Sequence, residues 1–291
     1  MPSLALAVGP RSSSIGLAVV FAVLGAAVLH AGWNAAAHAV QDRIAAFAVM
    51  GVTYVVVSSA LLLVSAPPAP AARPYVAISA ALHVAYTFLL ARSYRLADFG
   101  QAYPLARGTS PWVVAIVAVV VVGERVTPLH LLGILLITGG LAVLGLGGRL
   151  RREDLPAIGA ALLTGVVIAA YTVMDGLGVR VADSTLGYIG WLFLLQGLVF
   201  PLLVLRARRG HLHLPVSGQL AVAVGSGLLS LVAYGVVIWA QTRAPLATVA
   251  ALRETSIVFG ALIGAVVFHE RLGRVRVVGA GLAVCGVLLL A

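Results

Sequence analysis

The sequence predicts an all-α integral membrane protein whose ten transmembrane helices form two inverted five-helix repeats. Three observations carry this expectation. Of 291 residues, 62% are apolar and only 10% charged, with a mean hydropathy of +1.09; a soluble fold of this size cannot hide so much apolar surface behind so few charges. The apolar runs are continuous rather than alternating, which excludes a β-barrel. Charged residues also recur at one spacing in the two halves, since 253 − 107 and 270 − 124 both equal 146 for Arg107/Arg253 and Glu124/Glu270.

A spanning helix needs about 20 residues. Ten segments qualify within a few residues, near 15–37, 44–65, 75–97, 99–122, 128–147, 155–177, 184–205, 218–243, 246–267 and 274–290. Arg11 ahead of the first run gives it the look of a signal peptide, but Trp33-Asn34 has a counterpart in the second half, so the run is read as the first spanning helix. Pro67, Pro68, Pro70 and Pro74 separate the second segment from the third. Thr127-Pro128 supplies a cap followed by proline at the first helical position. Arg149 to Asp154, ending at Pro156, is the most polar connection.

These punctuation marks divide the chain into a first unit over 1–148, a linker over 149–155 and a second unit over 156–291. The halves match helix by helix. Trp33-Asn34 aligns with Tyr171-Thr172 (171 − 33 = 138), Tyr86 and Arg95 with Tyr234 and Arg243 (234 − 86 = 148), and Gly133 and Gly140 with Gly279 and Gly286 (279 − 133 = 146). Five is odd, so the second unit inserts upside down. Inverted repeats of this kind place a site near the bilayer midplane, where they meet.

The net charge of +10 would suggest nucleic acid in a soluble domain, but here the basic residues mostly occupy short connections, where they set orientation and no nucleic-acid partner is expected. All are arginine. Arg43, Arg92, Arg95, Arg149, Arg151, Arg152, Arg206, Arg208, Arg209, Arg271, Arg274 and Arg276 follow the odd-numbered segments, which places both termini outside the cytoplasm. The lone Cys285 forms no internal disulfide.

Arg107 lies in the run Tyr103-Pro104-Leu105-Ala106-Arg107-Gly108, and Arg253 in Leu252-Arg253-Glu254-Thr255. A charge inside the bilayer costs at least ~3 kcal/mol, so each arginine must face the bundle interior with a partner. One partner is an anionic group on a substrate, gripped by two parallel hydrogen bonds; the other is an internal acid such as Glu254 or Asp175, or a freed carbonyl. Glu254 points ~100° away from Arg253 around an ideal helix, so it is expected to reach Arg107 or to carry a proton rather than to pair with its neighbour.

Thr164, Ile168, Tyr171 and Asp175 form one stripe on the sixth segment, with Asp175 either functional or snorkelling to the interface. His30, Trp33 and Asn34 share a face of the first segment, His83, Tyr86 and Thr87 one of the third, and Tyr234, Ile238 and Gln241 one of the eighth. The expected substrate-binding set is therefore Arg107, Arg253, Tyr103, Tyr86, Tyr234, Trp33, Asn34 and Tyr171. Glu254, Asp175, His83 and His30 are the candidates for proton coupling. A lone membrane histidine is more often a helix-packing hydrogen bonder, and Tyr75, Tyr94, Trp191 and Trp239 suit interfacial anchors. His211 and His213 lack neighbouring acids or cysteines, so no metal is expected, and no P-loop or other cofactor motif is present.

The paired units, each closing with an acidic-basic turn and a glycine-bearing helix (Gly123-Glu124-Arg125 with Gly133 and Gly139-Gly140; Glu270-Arg271 with Gly279 and Gly286), resemble the EamA family of the drug/metabolite transporter superfamily. Trp33-Asn34 adds to the likeness, which covers nearly the whole chain. The resemblance implies a ten-helix basket in the cell (inner) membrane, with helices one to four of each unit around a cavity and the fifth packed outside. It also implies a carrier of small metabolites, many moved outward, and both termini in the cytoplasm, against the arginine count.

The expected activity is secondary transport, in the export direction, of small polar or zwitterionic metabolites such as amino acids or phosphonates. The proton is the candidate coupling ion, and a monomer or homodimer the expected state. The alternative is an integral-membrane enzyme acting on a lipid-linked phosphate. It is weakened because the polar groups are spread over both repeats instead of clustered on one side.

Overall fold

A computed structural model describes residues 16–38, 40, 42–96, 99–124, 126–146, 155–209, 217–267 and 273–290. In the first unit the helices are α1 (Leu17–His38), α2 (Arg43–Leu63), α3 (Arg73–Leu96), α4 (Phe99–Val117) and α5 (Pro128–Leu146). The second holds α6 (Leu155–Arg180), α7 (Thr185–Ala207), α8 (Ser217–Gln241), α9 (Leu246–Glu254), α10 (Ser256–Val267) and α11 (Arg274–Leu290). Five of them are long and apolar enough to cross a membrane by length and composition, within 17–37, 44–63, 158–180, 185–207 and 218–241. The apolar stretches 107–122, 128–143 and 277–290 are shorter.

Local chemistry explains the helix ends. Asp42 caps α2 by accepting from the Ala45 amide, and Ser184 caps α7 through the Gly187 amide. Thr127 Oγ1 accepts from the His130 amide at 3.2 Å, so the cap ahead of Pro128 forms as expected. The end of α4 widens into a π-turn over Ala118–Val122 and stops at Gly123, whose φ of 76° suits a residue without Cβ.

The ninth segment departs from expectation. It is two helices, not one, broken at Thr255, whose hydroxyl donates to the Leu252 carbonyl at 2.6 Å and competes with the helical ladder.

The main helix pairings join one unit to the other: α5 with α11, α3 and α4 with α6, α2 with α7, and α1 with α8. Glycine sets the α5–α11 contact. A Cβ on Gly133 would lie 2.9 Å from the Gly286 carbonyl, and one on Gly140 would strike the Gly279 carbonyl; both helices need bare backbone there. Outward faces carry exposed Phe21, Val52, Val56, Leu162, Leu202 and Val284, a surface suited to lipid. Arg107, Arg253 and Asp175 are turned inward.

Candidate functional site: a cavity between the repeats and its closed end

A cavity of about 80 Å3, open at its mouth, lies between the two units. Its walls are largely aromatic. Trp33, Phe47, Tyr54 and Tyr86 come from the first unit, Tyr171, Phe193, Phe200 and Tyr234 from the second, with His30, His83, Thr87, Gln196 and Ser230 as polar points. His83 stacks on Tyr171 with ring centroids 3.9 Å apart. Tyr54 donates to Ser230 Oγ at 2.9 Å across the interface. Most of these residues lie in the later parts of α1 and α3 and the earlier part of α2, so the cavity sits nearer the end where α1 meets α2 and α7 meets α8.

The two repeat-related arginines come together behind this wall. Glu254 makes an ion pair with Arg107 Nε at 2.8 Å, off the N–H direction, and its other oxygen accepts from Arg253 Nε and Nη2 at 3.2 and 2.8 Å. Glu254 thus pairs with its own neighbour, contrary to the ideal-helix expectation, because α9 ends there and the long arginine side chain folds back. Arg107 also donates to Ser256 Oγ at 3.0 Å, and Arg253 to Thr172 Oγ1 at 3.2 Å. Arg253 lies over the rings of Tyr171 and Tyr234 at 5.8 and 5.9 Å. At 1% and 2% exposure, both arginines stand one layer behind the cavity surface instead of lining it.

Asp175 is fully buried, which rules out snorkelling. It accepts from Tyr188 at 3.0 Å and from Tyr234 at 2.6 Å. Trp33, Tyr86, Tyr171, Tyr234, His30 and His83 all line the cavity. Asn34 does not; its amide donates to the His30 carbonyl at 2.9 Å. The Tyr103 side chain lies outside the described residues, as do the Tyr94 side chain, His211, His213, Arg125 and the second Glu270-Arg271 turn. Of the remaining proposed anchors, Trp191 is exposed at 38%, Trp239 lies under Arg243, and Tyr75 packs beside Gly178 and Tyr188.

At the opposite end, residues at helix ends and connections bond the two units to each other. Arg180, the last residue of α6, bonds Glu124 Oε1 at 3.1 Å and donates to the carbonyls of Gln241 and Ala244 at 3.0 and 3.1 Å. Glu124 accepts the Leu246 amide on both oxygens, at 3.0 and 2.9 Å, and so caps α9 from the first unit. The Ala69 amide bonds the Ala182 carbonyl at 3.0 Å, and Gly187 packs against the Ala66 carbonyl. Every one of these contacts crosses from one unit to the other or seals the α8–α9 turn between them.

A polytopic helical membrane protein with a cavity between two repeats is the class this geometry defines. The family model for the EamA-like transporter family matches residues 17–146 and again 155–291; the chain belongs to that family. A solved structure described only as a crystal structure of a protein superposes with a TM-score of 0.75 at 20% identity, covering 96% of each chain. At that identity it shows a shared fold. No curated protein sequence matches.

Proposed function

We propose that the protein is a secondary transporter of the cell (inner) membrane, working by alternating access around the cavity between its ten-span, inverted repeats. The observation that carries this is the polarity of the cavity, a ring-lined chamber at one end and the Glu124–Arg180–Leu246 seal at the other. The substrate is a small polar or zwitterionic metabolite, with amino acids as the leading class. The rings of Trp33, Tyr86, Tyr171 and Phe193 cover its apolar part, and His83, Gln196, Thr87 and Ser230 meet its polar atoms. Arg107 and Arg253 hold positive charge behind Tyr171 and Tyr234, favouring an acid group on that side of the chamber. The arginine-rich connections put the cavity end in the cytoplasm, so the carrier loads there and exports, with a proton as coupling ion.

The test uses thiol access from the sealed end. Cys285 is replaced by alanine and the buried Ala182 by cysteine, and a membrane-impermeant maleimide is applied. The cysteine is expected to resist labelling, and to become reactive when Glu124→Gln weakens the seal. Equal labelling in both proteins would contradict a closed external mouth. A reporter fused to Ala291 fixes the sidedness.

A further inference from the structure

A file of polar side chains runs from the cavity into the bundle, and only His83 at its cavity end has been given a role above. His83 on α3 lines the cavity. Its Nδ1 lies 2.9 Å from the Ser79 carbonyl and 3.2 Å from Ser79 Oγ. A carbonyl only accepts, so Nδ1 carries the hydrogen and Nε2 is the ring's acceptor. Ser79 Oγ is also a neighbour of the Asp175 carboxylate. Beyond Asp175 stands Tyr188, which donates to Oδ1 at 3.0 Å and packs with Tyr75 beside Gly178, near the sealed end.

We propose that Asp175 is a proton-binding site, loaded from the cavity through His83 and Ser79. Nε2 of His83 takes a proton from the cavity. The imidazolium passes its Nδ1 hydrogen to Ser79 Oγ, and Ser79 releases its own hydroxyl hydrogen to the carboxylate. Asp175 ends as a carboxylic acid and His83 as the opposite neutral tautomer, so charge and atoms balance.

The surroundings of Asp175 suit this role. Its hydrogen-bond partners, Tyr188 on α7 and Tyr234 on α8, and its neighbour Ser79 on α3, are all neutral. The charged group acting on it is Arg253 on α9, which already binds Glu254, while His83 on α3 and Tyr171 on its own helix pack against its partner Tyr234. Tyr234 joins the site to the chamber: its hydroxyl bonds Asp175, and its ring lines the cavity and lies under Arg253. Loading Asp175 therefore changes the charge against that wall, which is how a proton would be felt by a substrate.

The proposal rests on the carrier function but is tested without a substrate. Infrared difference spectra of the intact protein in lipid are recorded between alkaline and mildly acidic buffer. A carboxylic-acid C=O band is expected to appear on acidification and to be lost in Asp175→Asn. Should that variant not fold, Ser79→Ala, which removes a hydroxyl beside the carboxylate, is expected to raise the frequency of the band. Absence of the band in the unaltered protein overturns the proposal, as does a band that persists in Asp175→Asn or stays unmoved in Ser79→Ala. Failure here leaves the thiol-access test standing, and failure of that test leaves the infrared result standing, so the two claims fail separately.

Discussion

Two carboxylates of the first unit, Glu124 and Asp42, each receive an arginine of the second unit and the amide of a helix N-terminus, at opposite ends of the molecule. Glu124 and Arg180 have side chains 6% and 14% exposed. Asp42 and Arg208 are 41% and 29% exposed, although the latter pair has the better geometry, with two bonds of 2.7 and 3.1 Å. The same chemistry is therefore a seal at one end and an adjustable surface contact at the other. Burial decides between them, because losing one partner strands a charge away from water only at the sealed end.

The comparison is broken most severely by Arg180→Ala, which leaves Glu124 buried without its cation and frees the Gln241 and Ala244 carbonyls. A loss of roughly 3 kcal/mol or more is expected, read as a lower unfolding midpoint in detergent and as thiol access from the sealed end. Gly187→Ala comes next. Its Cβ would strike the Ala66 carbonyl, a backbone atom that cannot turn aside, so roughly 1–3 kcal/mol is expected. The same change at Gly218, where nothing lies within 4 Å, is expected to leave the midpoint unchanged.

At the cavity end, Asp42→Asn is expected to cost about 1 kcal/mol or less, the range of exposed ion pairs, and to lose even that in high salt. The pH dependence sharpens the contrast. Hydrogen bonding from Arg208, then the Ala45 amide, holds the Asp42 carboxyl below its ordinary value. Its contribution is thus complete above ~3.9, the value in an unfolded chain, and disappears as the pH falls through the lower folded-state value. An acid titration of the unfolding midpoint is expected to show that small loss in the unaltered protein and not in Asp42→Asn.

Much of the fold could be read from the sequence because lipid imposes long apolar runs and polar punctuation. The helix starts at Arg43, Phe99, Pro128, Leu155, Leu246 and Arg274 fall within a residue of the expected ones. The break at Thr255 escaped because it depends on a hydroxyl turning back on its own helix, in a stretch whose composition is helical throughout. The site was half legible. Rare polar residues in apolar runs pointed to Arg107, Arg253, Asp175 and His83, since such residues must face inward. Phe47, Tyr54, Phe193 and Phe200 gave no such signal, because an aromatic ring looks the same in sequence whether it meets lipid, core or cavity. Arg180, Glu124 and Leu246 are joined only in three dimensions, across 122 residues in the case of the Leu246–Glu124 bond.

The helix pairing described above bears on how such a molecule comes into being. Each half finds most of its neighbours in the other half: α1 lies on α8, α2 on α7, α3 on α6 and α5 on α11. Neither half makes a finished object alone, and each is a template for its complement. A gene divided between α5 and α6 is therefore expected to yield two fragments that reassemble when produced together, the arrangement an ancestor with two separate, oppositely inserted copies would have had.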